Sequence, residues 1–341
     1  MTALRVVLVG AGRAGMVHGR NFAAGVPGAT LIGVADPDRQ AREAAAHELG
    51  VDRAFADPSE AVTDDRVDAV VIGAPTFTHA DTAVAALKAG KHVLCEKPMA
   101  TTLDEAHAMA DAAEQSSAVF LMAFMRRFDA GFRRAAERIA AGDIGKPVLV
   151  RSTGRGPGLP PEWAWDTSVS GGLVAEVNSH DIDTIRWLSG QEPTRVFAVG
   201  RAAKRPDLAE RYPGFVDTLV ATLELSDGAM GQFDGACPAD YGYDARVEVY
   251  GTEGTVLVGG PTSGPLLVRA GGGEVDPVRS WRTLFADAYR EEDRHFVAVA
   301  RGEEAPLTGA SDGVRALATV AAANRSMATG QPVALAEVLP A

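Results

Sequence analysis

Residues 4 to 122 alternate short, unbroken apolar runs with alanine-rich segments of helical period, and this alternation limits the possible folds more than any other feature. The runs are LRVVLV, LIGVA, DAVVIGA, HVLCE and VFLM; between them lie Ala14 to Ala24, Arg39 to Leu49, Ala80 to Ala89 and Leu103 to Ala113. A strand covered by helices on both faces has no polar side to show, so it reads as a continuous apolar run. Parallel neighbours need helix-length crossovers, which the alanine-rich segments supply. The expectation is an α/β domain with a doubly wound parallel sheet.

Past residue 123 the texture changes. FMRRFDAGFRRAAERIAAGDIG reads as one helix ending near Gly142. PVLVRS, RVFAVG, VDTLVATLEL, GAMGQFDGA, ARVEVYGTEGTVLVGG and PLLVRA follow, joined by glycine-rich connections, which points to a large, mostly antiparallel open sheet in an α+β domain. The domains expected are 1–123 and 124–341. Two late helical patterns, Leu284 to Ala300 and Ser311 to Ala328, fit against either one.

A chain of 341 residues, 46% hydrophobic, can bury a large core in two domains. Its formal charge of -12 argues against an extended basic surface for nucleic acid or anionic lipid and favours a small-molecule partner. Cys95 and Cys237 have neither metal-ligand spacing nor the density of a disulfide scaffold. With no secretory leader, no apolar run of about 18 residues and no repeat, a cytoplasmic globular protein is expected. No metal site is expected.

VVLVGAGRAG sets Gly10, Gly12 and Gly15 in the spacing G-x-G-x-x-G, after a strand and at the start of a helix. The first glycine permits a tight turn, the second lets backbone approach a pyrophosphate and the third lets helix pack on strand; the helix N-terminus then offers N–H groups and a positive dipole end. Asp36 closes the second apolar run, 21 residues after Gly15, where an acid binds both ribose hydroxyls of NAD and repels the extra phosphate of NADP. Arg39 stands close enough to weaken that preference. A Rossmann domain that binds NAD through Gly10, Gly12, Arg13, Ala14, Gly15 and Asp36 is expected; the plain alternative is a structural turn with Asp36 as a helix cap.

Glu96, Lys97 and Pro98 follow the fifth run directly. In an open α/β sheet the C-terminal strand ends line the ligand crevice, so Lys97 is placed to orient a substrate oxygen near the nicotinamide. A solvated lysine paired with Glu96 is an equal reading. In EVNSHDIDTIRWL, if helical, Glu176, His180, Asp183 and Trp187 form one stripe, with Ile182, Ile185 and Leu188 on the next. Oxidising a secondary alcohol requires loss of the hydroxyl proton, which suits an imidazole held by a carboxylate. The same segment also reads as a helix cap, with Asn178 or Ser179 as N-cap and Asp181 in the first turn.

Together, Gly10-x-Gly12-x-x-Gly15, Asp36, Glu96-Lys97-Pro98, MRRFD at 125–129 and GG...E...HDID at 171–183 resemble the glucose-fructose oxidoreductase / inositol dehydrogenase superfamily. YGYDARVEVYGTEG at 241–254 and SWRTLFADAYREEDRHF at 280–296 extend the resemblance over essentially the whole chain. The resemblance implies a Lys97–His180 catalytic pair, with Glu176 where inositol dehydrogenases carry an aspartate. It adds Pro75, His79, Glu96 and Lys97 to the cofactor contacts, and implies homo-oligomers, dimers or tetramers. Asn178, Asp183, Arg127 and Tyr241 or Tyr243 are expected at the substrate beside Lys97 and His180; Asp183 equally suits a supporting role behind the substrate contacts, and Arg126 or Arg127 equally suits pairing with acidic neighbours at the domain joint.

The match loosens in TGRGPGLPPEWAWDTSVSGG, which replaces a short loop carrying a histidine and an asparagine. Trp165, like Trp163, suits either stacking on a pyranose ring or closing an interface, and Arg155 suits binding hydroxyls or a carboxylate. The expected activity is NAD-dependent oxidation of a secondary hydroxyl of a cyclitol or sugar. Two alternatives stand: NAD-dependent glycoside cleavage through transient oxidation, and a non-enzymatic dinucleotide sensor.

Overall fold

The computed structural model describes residues 2–259, 268–269, 272–273 and 280–339. The chain divides into two compact units: Met1–Phe128 with Asp287–Val314, and Asp129–Ala286 with Arg315–Ala341.

The first unit holds six parallel strands: β1 (Leu4–Val9), β2 (Ala29–Ala35), β3 (Arg53–Phe55), β4 (Ala69–Ile72), β5 (His92–Glu96) and β6 (Phe120–Ala123). Their order is β3-β2-β1-β4-β5-β6, with α1 (Gly15–Gly25), α2 (Arg39–Leu49), α3 (Pro58–Thr63), α4 (His79–Lys88) and α5 (Leu103–Gln115) between them in the chain. This is the doubly wound sheet that the apolar runs imply, and its order reverses between β1 and β4, where such sheets bind ligands. Val6, Val7, Leu8, Val70 and Val93 have no exposed surface; each contributes about 1.5–3 kcal/mol relative to exposure. Phe296, Val297 and Val299 from the returning helix Ala286–Ala300 complete this core.

The second unit is built on a seven-stranded sheet. Its strands are β7 (Pro147–Arg155), β8 (Pro193–Arg201), β9 (Thr218–Leu225), β10 (Met230–Ala236), β11 (Asp244–Gly251) and β12 (Thr255–Val258), with a short edge strand at Val333–Ala334. Of PLLVRA, only the pair Val268–Arg269 is among the described residues; it forms β13, paired with β14 (Gly272–Gly273), which makes the edge strand β15. The order is β12-β11-β7-β10-β9-β8-β15. Every neighbouring pair is antiparallel except β7 with β10.

One helical expectation needs correction. The stretch from Phe124 to Gly142 is not one helix: a 3-10 turn, Met125–Phe128, precedes α6 (Ala130–Ala140), because the Asp129 carboxylate accepts the N–H groups of Gly131 and Phe132 and holds its own backbone extended. The late pattern Leu284 to Ala300 is the helix Ala286–Ala300, set off from the short helix Trp281–Leu284 where Phe285 leaves helical geometry and buries its ring.

After α7 (Thr167–Ser170) comes a single π-helical turn, Val174–Asn178, continuing into α8 (Ser179–Ser189). Helix α8 lies across β7, β10 and β11. Its apolar residues Ile182, Ile185 and Leu188 are at most 2% exposed, and so is the ionisable Asp181. The Asp181 carboxylate accepts from Ser152 Oγ at 2.6 Å and from Asn178 Nδ2 at 2.8 Å. Asn178 Nδ2 also donates to the Asp234 carbonyl of β10 at 3.2 Å. Glycines make the approach possible: a Cβ at Gly154 would overlap the Asp181 carboxylate, and one at Gly235 would overlap the Asn178 amide. Gly154→Ala is therefore expected to lower stability by about 1–3 kcal/mol through overpacking and loss of the Asp181 contacts, read as a reduced urea midpoint at unchanged m.

Candidate active site

In the first unit, the glycine turn joins β1 to α1. Gly10 has φ of 94°, and a Cβ there would collide with the backbone of Gly73 and Ala74 in the loop after β4. Gly12 and Arg13 are exposed, Ala14 is half-buried and Gly15 is buried. The first turn of α1 has neither a side-chain cap nor an acid among the described residues; its Met16 and Val17 N–H groups donate to the Gly12 and Ala14 carbonyls at 3.0 and 2.9 Å, and its positive dipole end favours an anion.

Asp36 stands at the end of β2. Its Oδ2 accepts from the Ala11 N–H in the glycine turn at 2.8 Å, and its Oδ1 accepts from the Asp38 N–H at 2.9 Å. A carboxylate has about four lone-pair sites, so capacity remains for ribose hydroxyls. Arg39 turns to Glu43 at 2.7 Å; it is Arg42 whose Nη1 donates to the Asp36 carbonyl, at 2.6 Å. The turn, the uncapped helix start and the oriented carboxylate fit a dinucleotide whose pyrophosphate lies at α1 and whose ribose lies at Asp36.

Lys97 follows β5 and is half-buried. Its N–H donates to Glu96 Oε2 at 3.0 Å, while Glu96 Oε1 lies 3.2 Å from His18 Nε2. His79, at the start of α4, has Nδ1 2.9 Å from the Pro98 carbonyl and Nε2 2.9 Å from the Ala74 carbonyl. It thereby links the loops after β4 and β5. Burial pushes its pKa down, and a neutral ring donates to only one of the two carbonyls. Pro75 accepts from the Thr78 N–H and hydroxyl at 2.9 and 2.8 Å. Arg127 is buried and donates to the Leu307 carbonyl at 2.6 Å and to Asp312 at 2.8 Å, all within this unit.

In the second unit, Glu176 lies in the π-helical turn and is half-buried, whereas His180, at the start of α8, is 5% exposed. Thr184 donates to the His180 carbonyl at 2.7 Å. Asp183 is buried, with Oδ1 3.9 Å from Arg186 Nη1. The expected cap does not form. Asn178 has helical φ and ψ of -84° and -3° and makes no cap bond, because the turn before it already supplies carbonyls to the following N–H groups. Ser179 Oγ donates back to the Ala175 carbonyl.

Arg155 and Tyr241 come together elsewhere. Arg155 Nε donates to Asp234 Oδ2 at 2.6 Å and its Nη1 lies 3.5 Å from the Tyr241 oxygen; the Tyr241 hydroxyl donates to Asp244 at 2.7 Å. Burial opposes the Arg155 charge, but Asp234 outweighs it and raises the pKa. Side chains alternate along β7, so Arg155 lies on the face opposite Ser152, the residue bonded to Asp181. Trp165 sits on its own loop, its indole N–H donating to the Pro160 carbonyl at 2.9 Å and its ring edge-on to Tyr212 at 5.8 Å.

The second unit thus gathers Glu176, Asn178, His180 and Asp183 on one helical segment and sets Arg155 with Tyr241 on the other side of the sheet. Sequence reasoning missed Ser152 and His18, and read Asp181 only as a first-turn acid. The overlooked signal was Gly154 and Gly235 inside strands, which mark close approach of another element. Among the described residues, no group of three or more His, Cys, Asp or Glu is placed to hold a metal ion, and no helix is long and apolar enough to cross a membrane.

Residues 4–124 match the oxidoreductase family with an NAD-binding Rossmann fold, and residues 132–257 match the GFO/IDH/MocA C-terminal domain. The chain belongs to the GFO/IDH/MocA oxidoreductase family. The chain is similar to a scyllo-inositol 2-dehydrogenase (NAD(+)) of Bacillus subtilis, 35% identical over 97% of this chain and 96% of the relative. A myo-inositol 2-dehydrogenase of Thermotoga maritima is 32% identical over 98% and 100%. The crystal structure of scyllo-inositol dehydrogenase from Lactobacillus casei with bound cofactor NAD(H) and scyllo-inositol superposes with a TM-score of 0.87, at 28% identity, covering 98% of this chain and 100% of that one. The GFO/IDH/MocA assignment makes residues 4–124 an NAD-binding domain, and Asp36 its predicted selector. Asp36→Ala is expected to raise the NAD dissociation constant roughly tenfold or more, by loss of charge-assisted hydrogen bonds, and to narrow the preference over NADP, as read by fluorescence titration with each dinucleotide.

Proposed function

We propose that the protein is an NAD-dependent dehydrogenase acting on a secondary hydroxyl of a cyclitol, with scyllo- and myo-inositol as the first substrates to test. The observation that carries this reading is the end-to-end match to inositol dehydrogenases in a chain that sets a lysine after β5 and a histidine at the start of α8. Bound NAD supplies the hydride acceptor. His180 takes the hydroxyl proton as the carbon–hydrogen bond breaks, and Lys97 donates a hydrogen bond that orients the oxygen. Glu176 stabilises the imidazolium or binds a neighbouring hydroxyl, its arm longer than the aspartate of inositol dehydrogenases by roughly one C–C bond. Asp183 adds a carboxylate further along α8.

The tryptophan loop keeps a pyranoside in view as an alternative substrate, because Trp165 offers an apolar face. Cleavage of a glycoside through transient oxidation predicts no net NADH; a sensor predicts no turnover at all. Retention of both Lys97 and His180 favours the dehydrogenase.

We also propose that the protein is cytoplasmic and works as a homo-oligomer, dimer or tetramer. Phe197, Val199, Val220, Met230, Tyr250 and Leu257 are each 39% or more exposed and belong to β8 to β12 of the second sheet, a face that a second copy would cover.

NADH formation across a panel of cyclitols, pyranoses and glycosides tests the reading. Turnover is expected with an inositol isomer, and Lys97→Ala and His180→Ala are each expected to lower kcat about 100-fold or more. A loss under about tenfold in both variants removes the mechanism.

A further inference from the structure

Helix α1 buries an ionisable side chain that the proposed chemistry does not use. His18, one turn into α1, has no exposed surface, and both of its ring nitrogens face carboxylates: Nδ1 lies 2.6 Å from Asp293 Oδ1 and Nε2 lies 3.2 Å from Glu96 Oε1. The two acids are at most 4% exposed. Each uses its other oxygen to accept a bond, Asp293 from Asn21 Nδ2 at 2.7 Å and Glu96 from the Lys97 N–H at 3.0 Å. Tyr289 packs edge-on against the imidazole, with centroids 5.3 Å apart.

Carboxylates that accept on both sides require both ring nitrogens to carry hydrogen, which only the imidazolium does. Burial works against that charge, but Asp293 and Glu96 outweigh it and hold the His18 pKa well above its ordinary value. Burial would likewise favour a neutral Glu96, yet His18 keeps its pKa low. Two buried acids around one cation are stable only while the cation stays.

We infer that His18 is a positioning residue for Lys97: its cation fixes the Glu96 carboxylate, and Glu96 holds the Lys97 backbone at the end of β5. The link starts in the helix that follows the glycine turn, so the cofactor-binding helix and the lysine turn share one buried anchor, with Asp293 tying it to the returning helix. This rests on the reading of Lys97 as the group that orients the substrate oxygen.

The test is a cycle of His18→Asn, Lys97→Ala and the double variant, in full-length protein with NAD and scyllo-inositol. His18→Asn is expected to lower kcat about tenfold while the NAD dissociation constant stays within about threefold; the double variant should be no slower than Lys97→Ala alone, within about threefold, because the two act through one group. A second readout needs no turnover. Hydrogen exchange at the Lys97 amide, the proton given to Glu96, should quicken about tenfold relative to the Val93 and Leu94 amides of β5. If His18→Asn folds poorly, Asp293→Asn, which removes one charge and keeps the shape, should change kcat and exchange in the same direction.

Unchanged exchange at Lys97, or losses that multiply in the double variant, overturn the role of His18. Wild-type turnover in Lys97→Ala overturns instead the reading of Lys97, and the exchange result then decides the anchor by itself.

Discussion

A carboxylate with no exposed surface sits beneath the first turn of α8, and the orientation of that helix depends on it. Asp181 gains a hydroxyl donor from β7 and an amide donor from Asn178, each such bond to a charged group worth about 1.5–3 kcal/mol. Burying the charge without those donors would cost more than the helix gains from its apolar contacts. Gly154 and Gly235 let the carboxylate and the amide come down onto the strands. Because Asp181 adjoins His180, the contacts that fix the one also fix where the other leaves the helix, about 100° further round. The π-helical turn just before, a feature often found at functional sites, brings Glu176 into the same segment.

The first unit uses a similar device at the other proposed reacting group. There, Glu96 is the buried carboxylate and Lys97 the neighbour that it holds. Both units place a fully satisfied acid next to a residue of proposed chemical function. Such networks are rigid because a half-satisfied version is so costly, and reacting groups must be held within fractions of an ångström.

Much of the frame was legible in the sequence because it is local. A parallel strand buried on both faces writes a continuous apolar run, and the glycine turn with Asp36 carries its spacing in a single βαβ unit. What could not be read depended on register. The facing of Arg155 and Tyr241 leaves no mark in the linear sequence; alternation along β7 sets Arg155 opposite Ser152, where it meets Asp234. Asn178 looks like a cap, yet the helix begins a turn earlier than the apolar stripe indicates, and its amide serves Asp181 and Asp234 instead. Asp129 stops a helix that periodicity alone would continue. Pairing of Arg127 with an acid was one of the two readings open from the sequence, but its partners Leu307 and Asp312 lie some 180 residues along the chain, a distance no local pattern spans.

The most direct test of the account is the pH dependence of kcat/KM for scyllo-inositol oxidation, compared between the wild type and His180→Gln. A base presented by α8 predicts activity that falls with slope one as the pH drops in the wild type, and a profile without that limb in the variant. The same acid limb in both proteins would contradict it, because the proton would then be leaving through another group.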